Sequence, residues 1–209
     1  FPFATSREIE LGYGYVRASR ITFVGELGWE LYIPTEFMQD TYDRIVAAGA
    51  EWGLVHAGYH ALNSLRTEKA YRHWSHDITD EDSPLEAGLD FVVKWDKAGG
   101  FVGREALLEQ REKGLSRHLL QLRLKDPEPL IYHNEPIWRD GTLVGHITSG
   151  AYGHTLCGAV GLGYVRATPG EAAEAVLDGH YEVEVACEKI TAEVSLRPLY
   201  DPENAKIRS

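Results

Sequence analysis

The sequence predicts an α+β protein: a mixed helix–strand segment over residues 1–115, then a small all-β unit, closed or sandwiched, over 116–209. Three observations carry this. Before Gly114, apolar residues recur at helical spacing between short alternating stretches. After it, Leu120, Leu122 and Leu124 alternate with polar residues, as do Tyr181, Val183 and Val185, and Ile190, Ala192, Val194 and Leu196. Asp140-Gly141 and Asp178-Gly179 sit between such segments, and Asp-Gly suits the two positive φ angles of a tight hairpin turn.

Taken in order, Glu8 to Ile33 reads as strands and turns, with Trp29, Leu31 and Ile33 on one strand face and Glu30 on the other. Thr35 is placed to cap a helix through its hydroxyl, with Glu36 complementing the dipole and Gly49 near the stop. A second helix is predicted over Tyr59 to Tyr71, burying Leu62, Leu65 and Ala70. Arg72 to Asp82 has no apolar period and reads as a loop. Ser83-Pro84-Leu85-Glu86 is a capping box with Pro at the first helical position, cut short by Gly88. Phe91 to Trp95 is a strand candidate. Gly103 to Lys113 is a third helix, with a Glu109–Lys113 pair and Gly114 to end it. From Leu119 to Leu196 about six strands and no helix are expected.

Composition excludes several function classes. Hydrophobic residues make up 44% of the chain, too many for a disordered one. The net charge of −11 has the wrong sign for nucleic acid. No apolar run reaches the ~18 residues of a membrane span. Two cysteines, Cys157 and Cys187, make no disulfide scaffold and read as small packing residues of a reducing compartment. Phe1 at the front and a lone Met38 suggest a piece of something longer, or a processed chain.

The motifs divide into plain and pointed ones. His73, His76 and Asp77, and the pair His56 and His60, lack the spacing that makes a zinc site, so no metal ligand is assigned. The glycine-rich stretches have no G-x-G-x-x-G order and read as turns and bulges. Ser149 with His154 lacks a nucleophile elbow and reads as a polar loop. Glu26 and Glu30 flank a turn, but nothing sets the separation that paired carboxylate chemistry requires. Glu30 is the sharper candidate, because a carboxylate inside a strand needs either solvent or a partner rich in donors.

Thr22 to Tyr32, with its Gly25-Glu26-Leu27-Gly28-Trp29-Glu30 core, resembles the signature of the folate-binding aminomethyltransferase family. That family holds the glycine cleavage T-protein and the C-terminal parts of dimethylglycine and sarcosine dehydrogenases. Gly58 to Lys69, Asp77 to Lys94, Gly103 to Leu107, Val144 to Gly150 and Gly161 to Val165 follow in family order. Ser64 to Lys69 and Pro198 to Asn204 are most similar to the flavin-dependent dehydrogenase branch.

The resemblance implies a second α+β subdomain of the folate fold followed by a C-terminal antiparallel β-barrel. It implies tetrahydrofolate as ligand, with FAD only in the upstream part of the parent. Glu30 would accept the paired N–H groups of the pterin, a bidentate and charge-assisted contact. Phe23, where the family usually has Tyr, and Tyr71 would wall the ring, and Arg208 is the tail candidate. Leu62 replaces an Arg that the T-protein uses. The family's catalytic Asp lies in a half that precedes these residues, so no catalytic residue is assigned, and the missing N-terminal part is an expected partner. Alone, the chain is expected to bind folate weakly and turn over nothing. A bacterial cytoplasm or a mitochondrial matrix suits such a protein. The resemblance leaves two alternatives: a fragment of a glycine cleavage T-protein, or a non-catalytic regulatory relative, the pyruvate dehydrogenase phosphatase regulatory subunit.

Overall fold

The computed structural model describes residues 1–168 and 170–209. The chain divides into two compact units, residues 1–63 with 203–209, and residues 64–202.

The first unit is built on a three-stranded antiparallel sheet in the order β1 (Ser6–Leu11), β2 (Gly14–Ser19), β3 (Glu30–Tyr32). Alternation is clean in β2. Val16 and Ala18 are buried, while Tyr15 and Arg17 face outward. Gly14 belongs to the buried face, where a Cβ would meet the Phe37 ring at 2.5 Å. Helix α1 (Met38–Gly49) is fixed to the β1–β2 turn by Asp40, whose carboxylate accepts the Tyr13 amide at 3.1 Å and pairs with Arg44 at 2.9 Å.

One expectation changes at the start of α1. Thr35 does not cap it; Thr35 begins a 3-10 turn, Thr35–Phe37, and the helix follows with no side-chain cap. The helix ends at Gly49, near the expected stop, although the Gly49 backbone stays right-handed. The chain tightens through Ala50–Trp52 and stops at Gly53, which takes the left-handed conformation. A C-terminal helical turn, Ala205–Arg208, completes this unit.

The second unit begins within α2 (Tyr59–Glu68). That helix is shorter than predicted. Ala70 adopts φ +55°, and the Tyr71 amide donates back to the Arg66 carbonyl at 2.8 Å, a left-handed helix stop made without glycine. Leu62 and Leu65 are only half-buried, whereas Ser64, Arg66, Thr67, Glu68 and Lys69 are buried, so the packed end of the helix is polar. The capping box forms: the Glu86 amide donates to Ser83 Oγ at 3.1 Å, and the Ser83 amide to the Glu86 carboxylate at 3.4 Å.

Phe91 to Trp95 is not a strand. Asp90–Val92 is a 3-10 turn, and Val92 and Val93 donate to the Leu89 and Asp90 carbonyls. Phe91 and Val92 are exposed, and among the described residues no strand lies beside them to reward extension. Helix α3 (Arg104–Lys113) is bounded by Gly103 and Gly114, both with positive φ, and carries the Glu109–Lys113 pair.

The rest of the unit is a closed antiparallel barrel in the order β4-β7-β6-β5-β8-β9. Its strands are β4 (Arg117–Leu124), β5 (Pro136–Arg139), β6 (Thr142–Gly153), β7 (Gly158–Arg166), β8 (Tyr181–Val185) and β9 (Glu188–Ser195). Leu120, Leu122, Leu124, Ile137, Ile147, Val165 and Val183 fill it. Of the two readings left open, closed or sandwiched, the structure is the closed one.

Asp140-Gly141 turns the β5–β6 hairpin with φ +51° and +77°. Asp178-Gly179 does not turn a hairpin; it joins a 3-10 turn, Ala173–Leu177, to β8. That 3-10 turn also amends the expectation of strands alone. The β8–β9 hairpin instead turns on Ala186 and Cys187, with φ +50° and +68°.

Cys157, at φ +53°, and Cys187 are both exposed in turns, so neither is a packing residue. Several glycines of the barrel lie inside its tightly wound strands. A Cβ on Gly145 would strike the Tyr164 carbonyl oxygen at 1.8 Å, so only glycine lets β6 and β7 approach there. Ser149 is not in a loop either: it is buried in β6 beside a register shift between Ile147 and Ser149.

Candidate functional site

Strand β3 is an edge strand, and its register fixes where Glu30 points. Ser19 opposes Glu30, and Arg17 opposes Tyr32. Opposed residues share a face, so Glu30 and Tyr32 stand on the outward face of the sheet, away from Val16 and Ala18. Residues two apart on a strand also share a face, and Tyr32 Oη donates to Glu30 Oε2 at 3.1 Å. That bond, and next the carboxylate's charge, raise the Tyr32 phenol above its usual range. Among the described residues, no other donor is recorded on Glu30, so Oε1 stays open to an incoming group.

The other residues singled out in this unit surround the sheet's connections. Phe23 is half-buried between β2 and β3. Trp29 is exposed and meets Phe1 edge-on, with centroids 6.1 Å apart, and Arg20 lies over its ring. Arg20 also donates to the carbonyl oxygens of Phe1 and Ser209. Arg208 is exposed on the tail turn beside that anchor.

In the second unit the polar end of α2 is a hub. Arg66 Nη1 donates to Asp77 Oδ2 at 2.6 Å, and Arg66 Nη2 to Ser149 Oγ at 2.9 Å. Thr148 Oγ1 completes the group by donating to Asp77 Oδ1 at 2.5 Å. Neighbouring residues of a regular strand face opposite ways; the bulge at Thr148 lets both hydroxyls serve one ion pair. Glu68 accepts the amides of Thr155 and Leu156 at 2.7 and 2.8 Å, holding the β6–β7 hairpin. Gln121 donates to the carbonyls of Thr67 and Glu68 and accepts the Leu199 amide at 2.7 Å. Buried Lys69 pairs with Asp201 at 3.1 Å.

Tyr71 follows this hub directly. Its ring is half-buried, and burial, then the Asp201 charge, push its phenol up. His73 and His76 stack at 4.6 Å in the loop beyond, and burial, then Arg66 and His76, hold the His73 imidazole below its usual range. No group of three His, Cys, Asp or Glu among the described residues is placed to hold a metal.

Two family profiles match this arrangement in order, the GCVT N-terminal domain over residues 1–97 and the glycine cleavage T-protein C-terminal barrel domain over residues 117–201. The chain belongs to the glycine cleavage T-protein family. Its fold resembles that of the glycine cleavage system aminomethyltransferase T from Bartonella henselae, with TM-score 0.81 and 26% identity over 97% of this chain and 54% of that one.

Among curated relatives in this T-protein family, mouse mitochondrial sarcosine dehydrogenase is 41% identical over all of this chain and 23% of its own length. The formaldehyde-forming 4-methylaminobutanoate oxidase of Paenarthrobacter nicotinovorans is 41% identical over 99% of this chain and 24% of its own. The chain therefore spans about a quarter of these curated relatives. No helix of the described residues is long and apolar enough to cross a membrane.

Of the four residues that the T-protein resemblance implies, Glu30, Phe23 and Arg208 belong to the first unit and Tyr71 to the second. Leu62 is half-buried on α2 and carries no charge, where the T-protein resemblance implies Arg. The long-range partners Asp77, Ser149 and Asp201 were missed, since their motifs read as loop and tail. The one signal was four consecutive polar residues, Arg66 to Lys69, in a helix whose end had to be buried.

Proposed function

We propose that this chain is the tetrahydrofolate-binding portion of an FAD-dependent N-methylamine dehydrogenase, of the dimethylglycine or sarcosine type. In this reading residues 1–115 form the second α+β subdomain of the folate unit and 116–209 its barrel. The observation that carries it is the Glu30 carboxylate on the open face of an edge strand, with Tyr32 as its recorded donor and Oε1 uncommitted. A pterin offers a ring N–H and an amine side by side, which is the donor pair such a carboxylate accepts. By the same resemblance Phe23 would wall the ring and Arg208 would meet the anionic tail.

FAD, held elsewhere in such a parent, would oxidise the N-methyl group to an iminium. The iminium carbon would then bond to N5 and N10 of the folate. The amine would depart with one of the two protons released, giving 5,10-methylenetetrahydrofolate. The task left to this chain is to hold and orient the folate.

The test is Glu30→Gln in the intact parent. The amide leaves one good acceptor and turns a donor against the pterin. Folate affinity is expected to fall about tenfold or more, with the thermal midpoint unchanged. Unchanged affinity would remove Glu30 as the anchor. A parent that binds no folate at all would favour the non-catalytic regulatory alternative.

A further inference from the structure

The second unit contains a cleft of about 490 Å³ between α3, the start of β4 and the end of β9. That size suits a small organic molecule. Leu85, Leu115 and Leu196 give it an apolar wall. Its polar groups are distinctive. Arg111, in the last turn of α3, lies over the Trp95 ring with its guanidinium carbon 5.4 Å from the centroid, a cation–π contact. Among the described residues no ion pair or hydrogen bond is recorded for Arg111, so its donors are not consumed by the protein. His118, near the start of β4, is 7% exposed and lines the same cleft, again with no recorded hydrogen bond among the described residues. Buried polar groups are nearly always bonded, and an imidazole left open onto a cleft is the exception that a ligand accounts for.

We propose that this cleft is a second small-molecule site, which takes an organic carboxylate with an apolar body. A planar guanidinium with free donors matches a carboxylate in two parallel hydrogen bonds, and the imidazole N–H supplies a further donor. The leucines receive the apolar body. Among the described residues Asp90 is the acidic one lining the cleft, and it is exposed; the charges of Glu171, Glu86 and Glu174 reach His118 from outside that lining. An ammonium ligand fits less well, because the aromatic face that would attract it is already covered by Arg111. The site shares no residue with the folate reading of Glu30, Phe23, Tyr71 and Arg208, and it stands or falls separately.

Benzoate is the probe, with benzyl alcohol as its neutral counterpart. Both are titrated into the full chain carrying labelled leucine methyls, and the signals of Leu85, Leu115 and Leu196 and the His118 ring are followed. Saturable shifts at these positions are expected with a millimolar Kd, with benzyl alcohol binding about tenfold more weakly. Arg111 is exposed, so Arg111→Ala should leave the spectrum folded and weaken benzoate to the level of the alcohol. His118→Gln, which keeps a donor, should weaken benzoate by less than Arg111→Ala does. The proposal is overturned if these signals do not shift by about 20 mM benzoate, if alcohol and acid bind alike, or if Arg111→Ala leaves the affinity unchanged.

Discussion

Arg66 and Asp77 form an ion pair at 2.6 Å with side-chain exposures of 5% and 0%. Asp77 also accepts the His73 amide at 2.9 Å and the Thr148 hydroxyl, while Arg66 reaches Ser149. The pair therefore joins α2, the loop after it and barrel strand β6 inside one unit.

Breaking that pair from one side leaves a buried charge without its counterpart. Asp77→Ala is expected to lower the unfolding free energy by about 3–5 kcal/mol. Arg66→Met, which also fills volume, should cost a comparable amount while Asp77 remains. The double variant should cost less than the sum, because neither charge is then stranded. Urea unfolding of the three variants measures this; additive losses would mean that the two side chains do not act as a pair.

The β8–β9 hairpin turns on two non-glycine residues in the left-handed region, Ala186 and Cys187. Each such residue carries a steric cost of roughly 1 kcal/mol that Asn or Gly largely avoids. Replacing Ala186 by Asn and Cys187 by Gly should raise stability by about 1 kcal/mol in total, since both sites are turn positions. A denaturation midpoint that falls would show that the Cys187 side chain makes a contact outweighing its strain.

His118 should make stability fall in mild acid. Burial holds its imidazole below the ordinary value, opposed in turn by the charges of Glu171, Glu86 and Glu174. A histidine depressed in the folded state binds fewer protons there than in the unfolded chain. Its contribution is therefore complete above the unfolded value, about 6.5, and declines as the pH drops below it. His118→Gln should flatten the loss of stability between about pH 6.5 and 5, leaving the part due to His73, which is shifted the same way. Urea midpoints at several pH values give the slope, and an unaltered slope would exclude His118 as a source.

Much of the fold is local, and local patterns show in the sequence. Alternation marks the barrel strands, Asp140-Gly141 marks a turn, and the Ser83–Glu86 box marks a cap, because in each case the deciding interaction lies within a few residues. What stays hidden depends on distant partners. Ser149 resembles a loop residue until Arg66 comes to it from 83 positions away. Phe91 and Val92 look like strand residues, but extension needs a neighbour that the topology does not supply. Ala186 and Cys187 carry no turn signal, since strand pairing on both sides forces the conformation. At the candidate site, period-two alternation was enough to place Glu30 outward, and the same rule could have identified Tyr32 as its neighbour. The ordering of Tyr71 behind the Lys69–Asp201 pair could not be read that way, because 132 residues separate the two ends of that bond.

The two sheets differ in how they end. A barrel that closes on itself presents no row of unclaimed amides and carbonyls to solvent. The sheet of the first unit closes nowhere: β1 and β3 are both terminal strands. At high concentration, strand-to-strand self-association of this chain would therefore begin in its first sixty residues and not in the barrel, and a peptide that adds to the outer edge of β3 would lie directly beside Glu30.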